Sequence, residues 1–435
     1  MKPSEAFPCG GGLNIETTMN HEVSRMDTDL LQKYARLVVR VGVNLQHDQL
    51  LVINAPLEAA EFARALSREA FAAGAHDVVV SWSDEQLAHI RYKQAQEQVF
   101  TEFPDWRQAF YTDYAEQGAA FISIAARDPE IFADVDPARL TLAQQATGAA
   151  LLEYRERLMS NRNTWCVVSV PTPAWAQRVF PDDDVATAMK KLWAAILATS
   201  RVRQDDDPVA EWQEHIAFLH RAASWLNEHH FRSLHYRNSL GTDLKVRLPE
   251  RHIWAGGAED TDYGVSFAAN IPSEEVYTLP ERDGVDGIVY AAKPLIYGGS
   301  RIEDFYLRFE HGRVVDYDAR VGKPVLMELL STDEGARYLG EVALVPFDSP
   351  ISQSGLLFYN TLFDENAACH LALGKAYPTC LRGGADMDSV TLLQQGANDS
   401  LIHEDFMVGT CDLEVTGKQA DGTEVPVMRA GNFAF

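Results

Sequence analysis

Four short segments in the second half of this 435-residue chain place carboxylates and imidazoles among apolar or turn residues, where charged side chains need a reason. In FDENAACHLALGKAYP, Phe363 to Pro378, Glu365 precedes His370 by five positions and Tyr377 follows it by seven. On a continuous helix a five-residue step turns about 500°, leaving the two side chains about 140° apart, so a regular helix cannot serve one ion as H-E-x-x-H does. Two readings remain open: one of the pair is no ligand, or Glu365 lies on the non-helical entry to a helix capped by Asp364 or Asn366. Tyr377 shares a face with His370 only if that helix continues past Gly374, and a lone His370 there also reads as a core histidine.

The other three segments are NIPSEEVYT, LGEVALVPF and LIHEDFMVG. Glu275, the second acid of the first, reads alone as one of two solvated loop acids. Glu341 sits in a strand-like run whose alternation groups it with Leu339, Ala343 and Val345, a costly place for an unpaired charge unless the strand is an exposed edge. His403 and Asp405 are two apart, so a strand points both to one face and sends Glu404 and Phe406 to the other; solvated alternation gives the same pattern.

Together these segments supply four carboxylates and two imidazoles without a thiolate. Structural zinc sites favour cysteine and close at four ligands, so this oxygen-rich set suits two divalent ions sharing a carboxylate. Such a pair activates water and polarises a carbonyl, which is hydrolytic chemistry. Glu214, His215, His220, His229 and His230 form another cluster, but helical spacing puts them mostly on a solvated face. There is no G-x-S-x-G, P-loop or H-E-x-x-H, and no G-x-G-x-x-G after the first strand, so serine hydrolase, NTPase, zincin and dinucleotide readings have no foothold.

The elements that must position these residues fall into two patterns. QLLVINAP, LEAAEFARALSREAFAAGA and DVVVSWSD read as a β-α-β unit, and GAAFISIAA and TWCVVSVPT add strands. Residues 26–231 are therefore expected to form an open α/β domain with a parallel sheet, closed by a helix around Trp212. From Leu234 the texture changes to alternation and turns, with hairpins around Leu240–Asp243 and in DLEVTGKQADGTEVPVM, so residues 232–435 are expected to form a mainly β or α+β catalytic domain. Residues 1–25 read as an unpatterned extension.

Bulk properties narrow the partners. With 38 Lys plus Arg against 63 Asp plus Glu, the formal charge is -25, which disfavours nucleic acid and anionic membranes. Five cysteines without a C-x-x-C pair suit free thiols in a reducing cytoplasm. No signal-peptide pattern or membrane-length apolar run is present, so a cytoplasmic location is expected.

From Met26 to the C-terminus the chain resembles the aminopeptidase T and aminopeptidase S type of metallo-aminopeptidase, most specifically through NIPSEEVYT, GARYLGEVALVP, SPISQSGLLFYNTLFDENAACHLALGKAYP and HEDFMVG. The resemblance implies metal ligands at Glu275, Glu341, Glu365, His370, His403 and Asp405, with Glu341 bridging. It implies Tyr377 as a catalytic hydrogen-bond donor to the oxyanion. It further implies two divalent ions per subunit, zinc or cobalt, with magnesium or manganese as alternatives. The expected partners are peptides with a free N-terminus and a second copy of the chain. A dipeptidase or other di-metal amidohydrolase, or an inert metal- or peptide-binding protein, are the competing readings.

Overall fold

The structure, a computed structural model, describes residues 28–297 and 300–435. The extension expected at 1–25 lies outside the described residues. Among them, no helix is long and apolar enough to cross a membrane.

The apolar run Leu50–Pro56 forms a strand that neighbours cover on both faces, leaving Leu51, Val52 and Ile53 buried. Its crossover helix, Ala60–Ala73, ends at Gly74, whose positive φ lets its N–H reach the Ala70 and Phe71 carbonyls. The chain returns as Asp77–Ser83, parallel to the first strand with Leu50 opposite Asp77. Ala120–Ile124 and Trp165–Val168 complete a four-stranded parallel sheet with Leu50–Pro56 second from one edge. This is the expected α/β pattern. The helix expected at Trp212 runs from Pro208 to His229, capped by the Asp207 side chain on the Val209 N–H.

The later residues are mainly antiparallel. Both expected hairpins are present, Ser233–Arg237 with Asp243–Arg247 and Glu414–Lys418 with Glu424–Arg429, and both belong to a nine-stranded sheet. A five-stranded sheet packs against it, in the order His403–Met407, His370–Gly374, Leu339–Leu344, Val276–Thr278 and Ala255–Gly256. One face of this sheet is apolar: Val276, Val342, Leu344, Leu371, Leu373 and Phe406 join the core shared with the larger sheet. Alternation therefore sends Glu341, Ala343, His370, Ala372, His403 and Asp405 to the opposite face.

Two expectations about these strands need correction. His370 lies on a strand, not on a helix entered at Glu365; the short helix Thr361–Asp364 comes before Glu365, and Asn360 caps it. Ala and Leu suit a helix in isolation, but here strands on both sides take up the backbone groups of His370–Gly374. Glu341 and Leu339 do not share a face. The register shifts between them, so Leu339 pairs with Leu373 in the core while Glu341 pairs with Ala372 on the site face. A Cβ on the intervening Gly340 would lie 2.4 Å from the Gly374 carbonyl oxygen, so the bulge has room only for glycine.

The parallel sheet grips the loops that approach this face. The Val167 N–H donates to the Ala269 carbonyl at 2.8 Å and the Ile271 N–H to the Val167 carbonyl at 3.1 Å, fixing the segment that leads to Glu275. Asn360 Nδ2 donates to the Ala125 carbonyl at 3.0 Å, fixing the segment that leads to Glu365. Both anchors lie at or near the carboxyl ends of parallel strands, where open α/β sheets place ligands.

Gly374 ends the His370 strand at φ +104°, and an added Cβ would meet the Ile402 carbonyl oxygen at 2.1 Å. Gly374→Ala is expected to cost about 2 kcal/mol or more. Differential scanning fluorimetry should show the thermal midpoint falling by about 2 °C or more.

Candidate metal centre

On the site face, Glu341 pairs with Ala372 and Ala372 with Asp405, while Ala343 pairs with His370. The two alanines form a low floor, and the long polar side chains of their neighbours converge above it. Glu275, two residues before Tyr277 on the next strand, extends the same row from the other side. His370 Nε2 lies 3.0 Å from Glu275 Oε2 and 3.5 Å from Glu341 Oε1. His403 Nε2 lies 3.3 Å from Glu341 Oε2 and 3.7 Å from Asp405 Oδ1.

Two triads of potential ligand atoms result, each within a mutual 4.8 Å: Glu275, Glu341 and His370, and Glu341, His403 and Asp405. Glu341 belongs to both. Glu365 joins neither triad, but it lies close enough for the charges of Asp405 and Glu275 to act on it. Its Oε1 accepts from Asn366 Nδ2 at 3.3 Å.

Both imidazoles are oriented from behind. His370 Nδ1–H donates to the Glu365 carbonyl at 2.9 Å and His403 Nδ1–H to the Lys375 carbonyl at 2.7 Å, so each Nε2 faces the centre. When neutral, a ring held in that orientation has its lone pair on Nε2, the arrangement of a metal-binding histidine. The Tyr377 ring stands edge-on to His403, with centroids 5.0 Å apart. Burial first, then the charges of Glu341 and Asp405, raise the Tyr377 phenol well above its usual pKa, so it stays protonated as a donor.

Burial and mutual repulsion set the charge balance of the cluster. Burial pushes the Glu275, Glu365 and Asp405 carboxyls up, and neighbouring carboxylates push them further. Burial also opposes charge on Glu341, but His370 and His403 outweigh it and hold the group at about 2. Burial disfavours imidazolium, yet the surrounding carboxylates raise His370 and hold His403 at about 10. The cluster thus favours positive charge at its centre. Asp405 Oδ1 is buried and accepts no hydrogen bond, and Glu275 Oε2, also buried, meets His370 Nε2. Four carboxylates with two neutral imidazoles carry the charge that two divalent cations would cancel, so the residues present fit such ions.

Several supporting residues have roles that the sequence reading did not assign to them. Arg201 binds Glu274 through two nitrogens, at 2.6 and 2.9 Å, with the carboxylate almost wholly buried. His215, expected on a solvated face, is buried, with Nε2 2.7 Å from the Ser273 carbonyl oxygen and 3.6 Å from Glu274. Asn366 accepts the Glu274 N–H at 2.7 Å and also donates to Glu365 and the Leu362 carbonyl. One amide therefore links the segments carrying Glu275 and Glu365. The doubled acid in SEEV was the one available cue; the partners of Glu274 are 73 residues upstream and 92 downstream.

Comparison with known proteins identifies the group to which this arrangement belongs. Residues 27–433 match the family model described as thermophilic metalloprotease (M29). The chain is a member of that family. It is 49% identical over 405 residues to aminopeptidase 2 of Geobacillus stearothermophilus, covering 93% of this chain and 98% of that one. Aminopeptidase AmpS of Bacillus subtilis is 45% identical, with the same coverage. The solved structure of wild-type AmpT from Thermus thermophilus superposes with a TM-score of 0.87 at 39% identity, over 94% of this chain and all of that one. The M29 chain described here is a metallo-aminopeptidase, a hydrolase of peptide bonds that uses divalent metal.

Asn366 orients two segments of the centre without reaching its middle. Asn366→Ala should weaken divalent metal binding by about 10- to 100-fold, as read by competition with a chromophoric chelator.

Proposed function

We propose that this M29 enzyme releases the N-terminal residue of short peptides at a centre built for two divalent ions, zinc or cobalt, with magnesium or manganese as alternatives. Glu275 and His370 would hold one ion and His403 and Asp405 the other, with Glu341 available to both. Glu365 completes the carboxylate set. The observation that carries this reading is the division of the Glu341 carboxylate, one oxygen 3.5 Å from His370 and the other 3.3 Å from His403.

When bound, the ions supply Lewis acidity to the scissile carbonyl and lower the pKa of a water. The chain does the remaining work. The Glu365 and Lys375 carbonyls keep each imidazole in the tautomer that presents Nε2. Tyr377, protonated and beside His403, donates to the oxygen on which negative charge develops. The wall of apolar strands behind the centre keeps bulk water from that side, which strengthens each of these interactions. A homodimer and a cytoplasmic setting belong to the same proposal.

Glu341→Gln and His403→Ala should each lower kcat/KM on an amino-acyl anilide by more than about a hundredfold, beyond what loss of a supporting residue costs. Chelation should abolish the wild-type activity, and added metal should restore it at a stoichiometry approaching two. A peptide with an acetylated N-terminus should resist cleavage; its hydrolysis at the rate of the free peptide would point to an amidase or endopeptidase instead.

A further inference from the structure

A cavity of about 330 Å³ opens between the metal-centre sheet and two helices of the N-terminal half, Pro137–Ala150 and Leu152–Met159. His403 forms part of one wall, so the cavity adjoins the proposed centre, and Arg155 forms part of the wall contributed by the helices. The volume lies near the lower end for small-molecule sites, which suits a few residues of peptide rather than a folded chain. Thr141, Gln144 and Gln145 add hydroxyl and amide groups able to bind peptide backbone.

We propose that Arg155 binds the C-terminal carboxylate of a peptide whose N-terminal residue lies at the Glu341 centre, making the enzyme selective for short peptides with a free C-terminus. The inference rests on the aminopeptidase reading above. Its first support is that Arg155 makes no ion pair with any described residue. The cavity's other fixed cation, Lys375, is engaged by Asp399 at 2.8 Å, and the cavity acids Glu156 and Glu404 do not pair with the arginine. Arg155 is exposed and lines the cavity, so an incoming anion can reach its guanidinium.

A second support is the seat of the side chain. Gly148 is buried inside the helix Pro137–Ala150, where glycine costs about 1 kcal/mol relative to alanine. A Cβ there would lie 3.5 Å from Arg155 Nη1, an ordinary contact distance, so the guanidinium lies over this turn of the helix beside the cavity. A planar fork in that place matches a carboxylate through two parallel hydrogen bonds. The charge of the whole chain, -25, makes a local cation necessary if an anionic substrate terminus is to be held.

The test compares Leu-Gly-Gly, its C-terminal amide, Leu-Glu-amide and leucine anilide on the metal-loaded wild type, Arg155→Gln and Arg155→Lys. Wild type should show a kcat/KM about tenfold or more higher on the free tripeptide than on its amide, carried by KM. Arg155→Gln should bring that ratio near one, and Arg155→Lys should restore part of it. Equal wild-type rates on free and amidated peptide overturn the inference, as does an equal loss of kcat on both in Arg155→Gln. An Arg155-dependent preference for Leu-Glu-amide also overturns it, assigning the arginine to acidic side chains. Failure on every substrate, the anilide included, overturns the aminopeptidase reading and this inference with it.

Discussion

Carboxylates gathered beneath protein repel one another, and everything around Glu341 bears on that fact. Two like charges about 4 Å apart at an effective dielectric near 20 oppose each other by about 4 kcal/mol. Here Glu275, Glu341, Glu365 and Asp405 share one small space with two imidazoles. The directions of their pKa shifts express the strain: three carboxyls rise, and Glu341 alone falls because both histidines face it. Divalent cations answer the same repulsion with positive charge that protons would otherwise supply. The family assignment and the electrostatics therefore agree, although they come from independent observations.

A scaffold that holds such a cluster must draw its stability elsewhere. The five-stranded sheet does so by dividing its faces, with leucine, valine and phenylalanine side chains buried against the larger sheet and ligand-type side chains on the reverse. Burying each large apolar side chain contributes about 1.5–3 kcal/mol. The bulge at Gly340 lets the strand keep Leu339 in the core while turning Glu341 to the site. Loops pinned to the parallel sheet then bring Glu275 and Glu365 to that face.

Much of this was legible in the sequence where local pattern and tertiary environment agree. The β-α-β unit, both hairpins and the shared face of His403 and Asp405 follow from periodicity. The five-residue step from Glu365 to His370 was legible only as an anomaly. Its resolution is a 3-10 turn at Glu365–Ala367, an extended Ala368, and a strand, so the two side chains come from different elements. Local composition could not show this, because Ala-Leu sequence takes the conformation its neighbours impose. Arg201 and Arg155 were invisible, and His215 and Asn366 were legible only as a solvated-face histidine and a candidate helix cap, because each matters through contacts or a cavity formed by distant segments, and no spacing rule encodes such contacts.

The central proposal is that Glu341 would lie between two ions. Anomalous diffraction from crystals grown with zinc tests it most directly. The account predicts two peaks per chain flanking the Glu341 carboxylate, one beside Glu275 and His370 and the other beside His403 and Asp405. A single peak, or peaks that leave Glu341 without a metal neighbour, would contradict it.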